Sequence, residues 1–348
     1  MRACAAAAHA ALAALGGCAT PEIREYRRIV MGAECRILIA ADEPTADRAA
    51  AAAFSRLAEV EEALSDWIPS SEVRQLPERA GEPATVGPDL AAAIAASLAW
   101  SERTDGAFDA TLGALTSAWR AARRSGTPLD PAEARALLGR CGWRNVRFDP
   151  ATRTYSAAAD GLRLDFGAIG QGIGADAALA AIRAQGVESA LVDLSGDIAA
   201  GEAPPGRRAW RVTADDDRAS TLFLRHQAVT TSGDRAQHLD AGGVRLSHVL
   251  DPATGWPITT RVQVTAGAPT ATDADALATA LCVLGPDRGR ALLARLGPGY
   301  WATWSWPDGT PAAAAATPEP APPAPASGRR WRCRGPASGP WVPGPSDR

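Results

Sequence analysis

The sequence predicts an α+β protein with mixed or antiparallel sheets and flanking helices. Strand-like and helix-like segments are interspersed without the strict β–α–β alternation of a parallel sheet. Two strand candidates end in the same tripeptide, Ser195-Gly196-Asp197 and Ser232-Gly233-Asp234, which is turn chemistry. The chain has 348 residues, 46% of them hydrophobic, enough to bury the core of one large domain or two modest ones.

The elements follow in order. Residues 18–30 read as a polar lead-in. Met31 to Ala40 alternates into the apolar run Ile37-Leu38-Ile39 and reads as a strand. Pro44 precedes a helix from about Thr45 to Leu64, with Phe54, Leu57, Val60 and Leu64 on one face. A loop, Ser65 to Glu72, leads to a helix over Pro88–Arg103. Thr104 to Leu115 is turn-rich, and Pro131–Gly139 is a short helix. Leu162 to Gly186 reads as strand, glycine-rich turn and helix, the helix beginning near Gly174. Leu191–Ile198, Trp210–Ala214, Thr221–Leu224 and Arg261–Ala266 are strand candidates. Asp273–Leu284 is a helix stopped by Gly285-Pro286, and Pro286–Leu296 gives one more.

The ends differ from this body. Arg2, the apolar Ala3–Leu15 and the run Leu15-Gly16-Gly17-Cys18 are similar to a bacterial lipoprotein signal, residues 1–17 being removed and Cys18 lipidated. An ordinary secretory signal or an Ala-rich helix are the other readings. No later run approaches a membrane span. The expectation is a lipid-anchored protein of the cell envelope, on the periplasmic face of the inner membrane. Residues 309–348 are rich in Pro, Ala, Gly and Arg and are expected to be disordered.

Composition excludes several chemistries. A net charge of −3 gives no nucleic-acid signature. All 36 basic residues are Arg, which rules out a P-loop lysine, a Schiff-base lysine and a lysine general base. The cysteines lack C-x-x-C spacing, which argues against zinc, and Cys35 and Cys282 sit in apolar runs as expected for buried thiols.

Two stretches carry most of the chemistry. Ser247-His248-Val249-Leu250-Asp251-Pro252-Ala253-Thr254-Gly255 reads as a strand ending in a turn that holds a histidine and an aspartate. Thr272-Asp273-Ala274-Asp275 opens a helix on which Asp275 and Thr279 are four apart and share a face. Two oxygen ligands on one face suit a hard cation such as Mg²⁺. A titratable histidine beside them suggests phosphate-ester or pyrophosphate chemistry. Taken singly, the pair could be a cap or a solvated face, and His248 a structural histidine. Asp165-Phe166-Gly167-Ala168-Ile169-Gly170-Gln171-Gly172-Ile173-Gly174 exposes backbone before a helix, an arrangement suited to anions. It differs from the dinucleotide-binding order because its acidic residue precedes the glycines.

In order, these segments resemble the FAD:protein FMN transferase (ApbE) family. The resemblance rests on Met31-Gly32, Ser65-x-Trp67…Ser71-Glu72, Gly106-x-Phe108-Asp109-x-Thr111, the Asp165 block, both Ser-Gly-Asp turns, the His248 stretch and Ala274-Asp275-Ala276-Leu277-x-Thr279. It implies an FAD cleft between two lobes. It also implies Mg²⁺-dependent transfer of FMN from FAD to a Thr or Ser hydroxyl of a target protein, with AMP leaving. The acceptor would carry an Asp-Gly-x-Ser/Thr-x-Thr-like motif, as a subunit of a membrane redox complex. By the resemblance, Met31, Trp67, Ala107, Phe108, Asp109, Asp165, Gln171 and Leu250 would contact FAD. The Ala168 carbonyl, Asp275 and Thr279 would hold Mg²⁺, and His248 and Asp251 would serve proton transfer. Relatives generally carry Lys or Glu at the position of Gln171 and an aromatic at that of Arg235. A Mg²⁺-dependent FAD pyrophosphatase and a non-catalytic FAD-binding lipoprotein are the alternative functions.

Overall fold

A computed structural model describes residues 22–213, 221–235 and 237–306. The expected signal 1–17, Cys18 and the tail 309–348 lie outside the described residues. Two strands open the described chain, β1 (Ile23–Val30) and β2 (Ala33–Ala40). They pair antiparallel across a two-residue turn in which Met31 and Gly32 have φ +53° and +69°. Two positive φ values are what a hairpin turn of this length requires. The expected lead-in is therefore an edge strand, and Met31 is a turn residue rather than the start of β2.

Asp42 starts α1 (Glu43–Leu64) by accepting the Thr45 amide at 3.1 Å. Ala49, Ala53, Phe54 and Leu57 pack against Cys35, Ile37 and Ile39 of β2. Next come β3 (Ala84–Thr85), α2 (Pro88–Arg103), α3 (Gly113–Ser125) and α4 (Pro131–Leu138). β4 (Val146–Asp149) and β5 (Thr154–Ala157) join β3 in a small sheet of order β3-β5-β4. α3 lies where the sequence suggested only turns as far as Leu115.

The expected strand after Leu162 is reduced to one bridge, Leu112 to Arg163. Its helix, α5 (Gly170–Ala184), begins at Gly170 rather than near Gly174. The glycines read as a loop are helical, and at Gly172 and Gly174 neighbours pack too closely for a side chain. A Cβ at Gly174 would lie 2.7 Å from the Met31 sulfur.

The chain continues through β6 (Ala190–Leu194), β7 (Asp197–Ala200), β8 (Trp210–Thr213), β9 (Thr221–Leu224) and β10 (Gln227–Gly233). Hairpin β11 (His238–Ala241) and β12 (Val244–Ser247) precedes the short pair β13 (Leu250–Asp251) and β14 (Trp256–Pro257). The stretch read as a strand ending in a turn is the end of β12 followed by β13, with His248 between the two. β15 (Gln263–Ala268), α6 (Ala271–Leu296) and β16 (Trp301–Ser305) complete the fold. The expected stop is present inside α6: Gly285, with φ +67° ahead of Pro286, is non-helical and divides α6 into two helical stretches joined at a kink.

The main sheet has seven strands in the order β1-β2-β6-β7-β10-β15-β16, and each neighbouring pair is antiparallel. On one face, α1 and α5 form one core with β2 and β6, while α2 and α6 form another with β15 and β16. The hairpin β8–β9 packs Trp210, Val212 and Leu224 against Leu191, Ile198 and Val229 of the sheet. Cys35, Cys141 and Cys282 are buried free thiols.

Candidate active site

Antiparallel order fixes what meets at one end of the main sheet. The Met31-Gly32 turn, the Ser195-Gly196 turn between β6 and β7, and the end of β10 all fall there. Ser195 and Gly196 have φ +57° and +103°, and Asp193 accepts the Gly196 amide at 3.0 Å. Ser232 and Gly233 end β10 and bring their backbone to the same place.

Two helices close on this end. The Gly172 amide on α5 donates to the Asp275 carboxylate of α6 at 3.1 Å. A Cβ at 172 would lie 2.3 Å from the Ala271 carbonyl oxygen, so only glycine permits this approach. Asp176, one helical turn on, accepts the Ala271 and Thr272 amides, both at 2.9 Å, and the Thr272 hydroxyl at 2.7 Å. It caps α6 from a neighbouring helix. Thr279 lies one turn below Asp275, its hydroxyl 3.4 Å from that of Ser232.

The facing wall comes from the loop after α1, from α3 and from β13. Ser65 accepts the Trp67 and Ile68 amides at 3.3 Å each, folding the loop. Arg120 of α3 pairs with Asp66 and donates to Asp165 at 3.0 Å. Its guanidinium stands 5.0 Å from the centre of the Trp67 ring, a cation–π arrangement. Trp67 is 68% exposed, unusual for so large an apolar surface. Asp109 is held by the Thr111 amide and hydroxyl at 2.8 and 2.7 Å and by the Trp143 amide at 2.9 Å.

Between the walls lies a cleft of about 680 Å³, the size of a small-molecule site. It is lined by Met31, Trp67, Ala107, Phe108, Asp109, Asp165, Ala168, Gln171, His248, Leu250, Asp275 and Thr279. The cleft therefore gathers every residue singled out in the sequence except Asp251. That carboxylate is committed to its own turn, accepting the Ala253 amide at 2.9 Å and the Thr254 hydroxyl at 3.2 Å. Asp251 shapes the loop beside Pro252, next to the cleft-lining Leu250. Sequence reading missed Arg120 and Arg123, which line the cleft from a helix it did not anticipate, and Asp176, whose capping role needs the helix pair in place. Asp197, noted only as part of a turn, lines the cleft as well.

Burial sets the electrostatics. It raises the Asp275 carboxyl well above the usual carboxylate range, and the charge of Asp197 adds to this. Asp197 is likewise pushed up to about 7 by burial, although Thr230 donates to it at 2.6 Å. Among the described residues no cation pairs with either. His248 is shifted the other way. Burial lowers it below the usual histidine value, the Gln237 carbonyl and the charge of Asp234 oppose this, and Arg123 and Arg120 depress it further. That carbonyl can only accept, so at 3.3 Å it draws the proton to Nδ1 and leaves Nε2 as the basic nitrogen.

Among the described residues no three His, Cys, Asp or Glu cluster as a metal site. The donor set at hand is one buried carboxylate, a hydroxyl and backbone carbonyls, with a second carboxylate near. Hard oxygen donors with no protein cation paired to them among the described residues fit Mg²⁺ rather than a thiophilic metal.

Comparison with known proteins agrees with this geometry. The model of the ApbE family matches residues 31–304. A Treponema pallidum protein named FAD:protein FMN transferase is 34% identical over 330 residues, covering 87% of this chain and 91% of the relative. A Vibrio cholerae protein of the same name is 30% identical over 247 residues, covering 68% of this chain and 73% of the relative. Among solved structures, the Pseudomonas stutzeri flavinyl transferase ApbE superimposes with a TM-score of 0.71 at 29% identity, covering 82% of this chain and 91% of that one. The Thermotoga maritima ApbE protein gives a TM-score of 0.75 at 27% identity, over 83% and 96% of the two chains.

Proposed function

The chain belongs to the ApbE family, and on that premise we propose that it transfers FMN from FAD to a protein. We propose further that the acceptor atom is a Thr or Ser hydroxyl, that the product is a phosphoester, that AMP leaves, and that Mg²⁺ is required. The observation that carries the reading is the single cleft that gathers exposed Trp67, the Asp165 glycine block, His248 and the Asp275/Thr279 pair.

The residues divide the work. Trp67 offers a flat face for an aromatic ring, and Arg120 steadies that ring while tying its loop to Asp165. His248 is kept neutral by burial and by nearby arginines, so its Nε2 takes the proton of the attacking hydroxyl. A bond forms from that oxygen to the FMN phosphorus, and the bridging P–O bond breaks with its electron pair on AMP. Asp275, Thr279 and the Ala168 carbonyl would hold Mg²⁺, which when bound supplies positive charge to the diphosphate. The Asp-Gly-x-Ser/Thr-x-Thr acceptor motif, the membrane-complex partner, and anchoring through Cys18 at the periplasmic face belong to the same proposal.

The test is incubation of the protein with FAD, Mg²⁺ and a polypeptide carrying the acceptor motif, followed by mass spectrometry. Covalent FMN on the motif hydroxyl is expected. Free FMN with unmodified acceptor would identify a pyrophosphatase, and untouched FAD would sink both readings.

A further inference from the structure

Resting on that reading, we infer that Arg123 is the residue that receives the negative charge of the transferred phosphoryl group beside His248. Arg120 and Arg123 sit three apart on α3, and both line the cleft. Arg120 is already committed to Asp66, Asp165 and the Trp67 ring. Arg123 has no acidic partner and no side-chain hydrogen bond among the described residues. A helix-end role does not account for it, since exposed Arg124 in the same turn serves that purpose. Arg123 is half-buried, and a guanidinium taken partly out of water without a partner carries a standing cost that a bound anion removes.

Two further observations place the anion. Arg123 and His248, the residue that meets the attacking hydroxyl in the proposed reaction, line the same cleft, where the charge of Arg123 acts on the imidazole. The chain contains no lysine, so fixed positive charge at this wall has to come from arginine. Its planar fork matches two phosphoryl oxygens, which a point charge does not. Gln171, on the opposite wall at the start of α5, contributes hydrogen bonding without charge.

The experiment is equilibrium binding of riboflavin, FMN and FAD, with Mg²⁺ present, to the full chain and to Arg123→Gln and Arg123→Lys. The three flavins share a ring and differ in phosphate. Arg123→Gln is expected to weaken FMN and FAD by roughly tenfold or more, as loss of a charge-assisted pair implies. Riboflavin should be unaffected, and Arg123→Lys should recover part of the loss. Equal weakening of riboflavin would mean altered shape and would overturn the inference. Tight FMN and FAD binding left unchanged by Arg123→Gln would overturn it alone. Failure of the unsubstituted chain to bind FAD or FMN would overturn the functional reading and the inference with it.

Discussion

The Gly172 amide donates to the Asp275 carboxylate at 3.1 Å, and a side chain at 172 would collide with the Ala271 carbonyl. One glycine therefore sets how closely α5 and α6 approach, and through that the position of an acidic residue in the cleft.

Gly172→Ala should push the two helices apart. Overpacking of this kind costs about 1–3 kcal/mol. Thermal unfolding should show the loss, and Mg²⁺ affinity measured on the folded variant should fall with it. Unchanged values for both would mean that the helices yield without moving Asp275.

Asp275→Asn should abolish Mg²⁺-dependent activity while the protein still folds, because an amide removes the charged oxygen a hard cation needs. Isothermal titration of Mg²⁺ with FAD present checks this. The sign with pH follows from the raised carboxyls. Cation binding takes their ionised form, and Asp197 sits at about 7. Stabilisation of the unsubstituted protein by Mg²⁺ should therefore grow as pH rises through that value, and Asp275→Asn should flatten the trend.

The acid limb of the kcat/KM profile should lie below 6.5, the ordinary histidine value from which His248 is lowered. A depressed value keeps the basic neutral form as pH falls, so activity persists further into acid. Arg123→Gln removes one depressing charge and should move the limb upward. A limb above 6.5 that persists at saturating Mg²⁺, where titration of Asp275 and Asp197 no longer limits the rate, would remove His248 as the base.

Trp67→Ala should raise KM for FAD about three- to tenfold, the worth of one aromatic contact, with a smaller change in kcat. Trp67→Tyr should stay close to the parent. Steady-state kinetics on the two variants separates a stacking face from a purely structural tryptophan.

Asp176→Ala should destabilise the fold by about 1–2 kcal/mol, since three donors at the start of α6 lose their acceptor together. Chemical denaturation measures it.

The sequence by itself determined the local chemistry. Asp275 and Thr279 share a face because helical spacing requires it. Pro44 marks the start of α1 and Gly285-Pro286 breaks α6, because caps and breakers act within a few residues. Tertiary structure decided the rest. Gly170, Gly172 and Gly174 looked like a loop because glycine favours turns. They lie in a helix, and at Gly172 and Gly174 that helix packs so closely on Ala271, Met31 and Leu57, all far away in sequence, that no side chain would fit. Asp251 matched a motif, yet its carboxylate turns back on Ala253 and Thr254. Residues 23–30 lacked an obvious core pattern because an edge strand is exposed along much of its length, and pairing with β2 alone reveals it. Arg120 and Arg123 became visible only once α3 was laid against the loop of Asp66 and Trp67. Which charges meet across a cleft depends on long-range packing, and no local period in the chain records it.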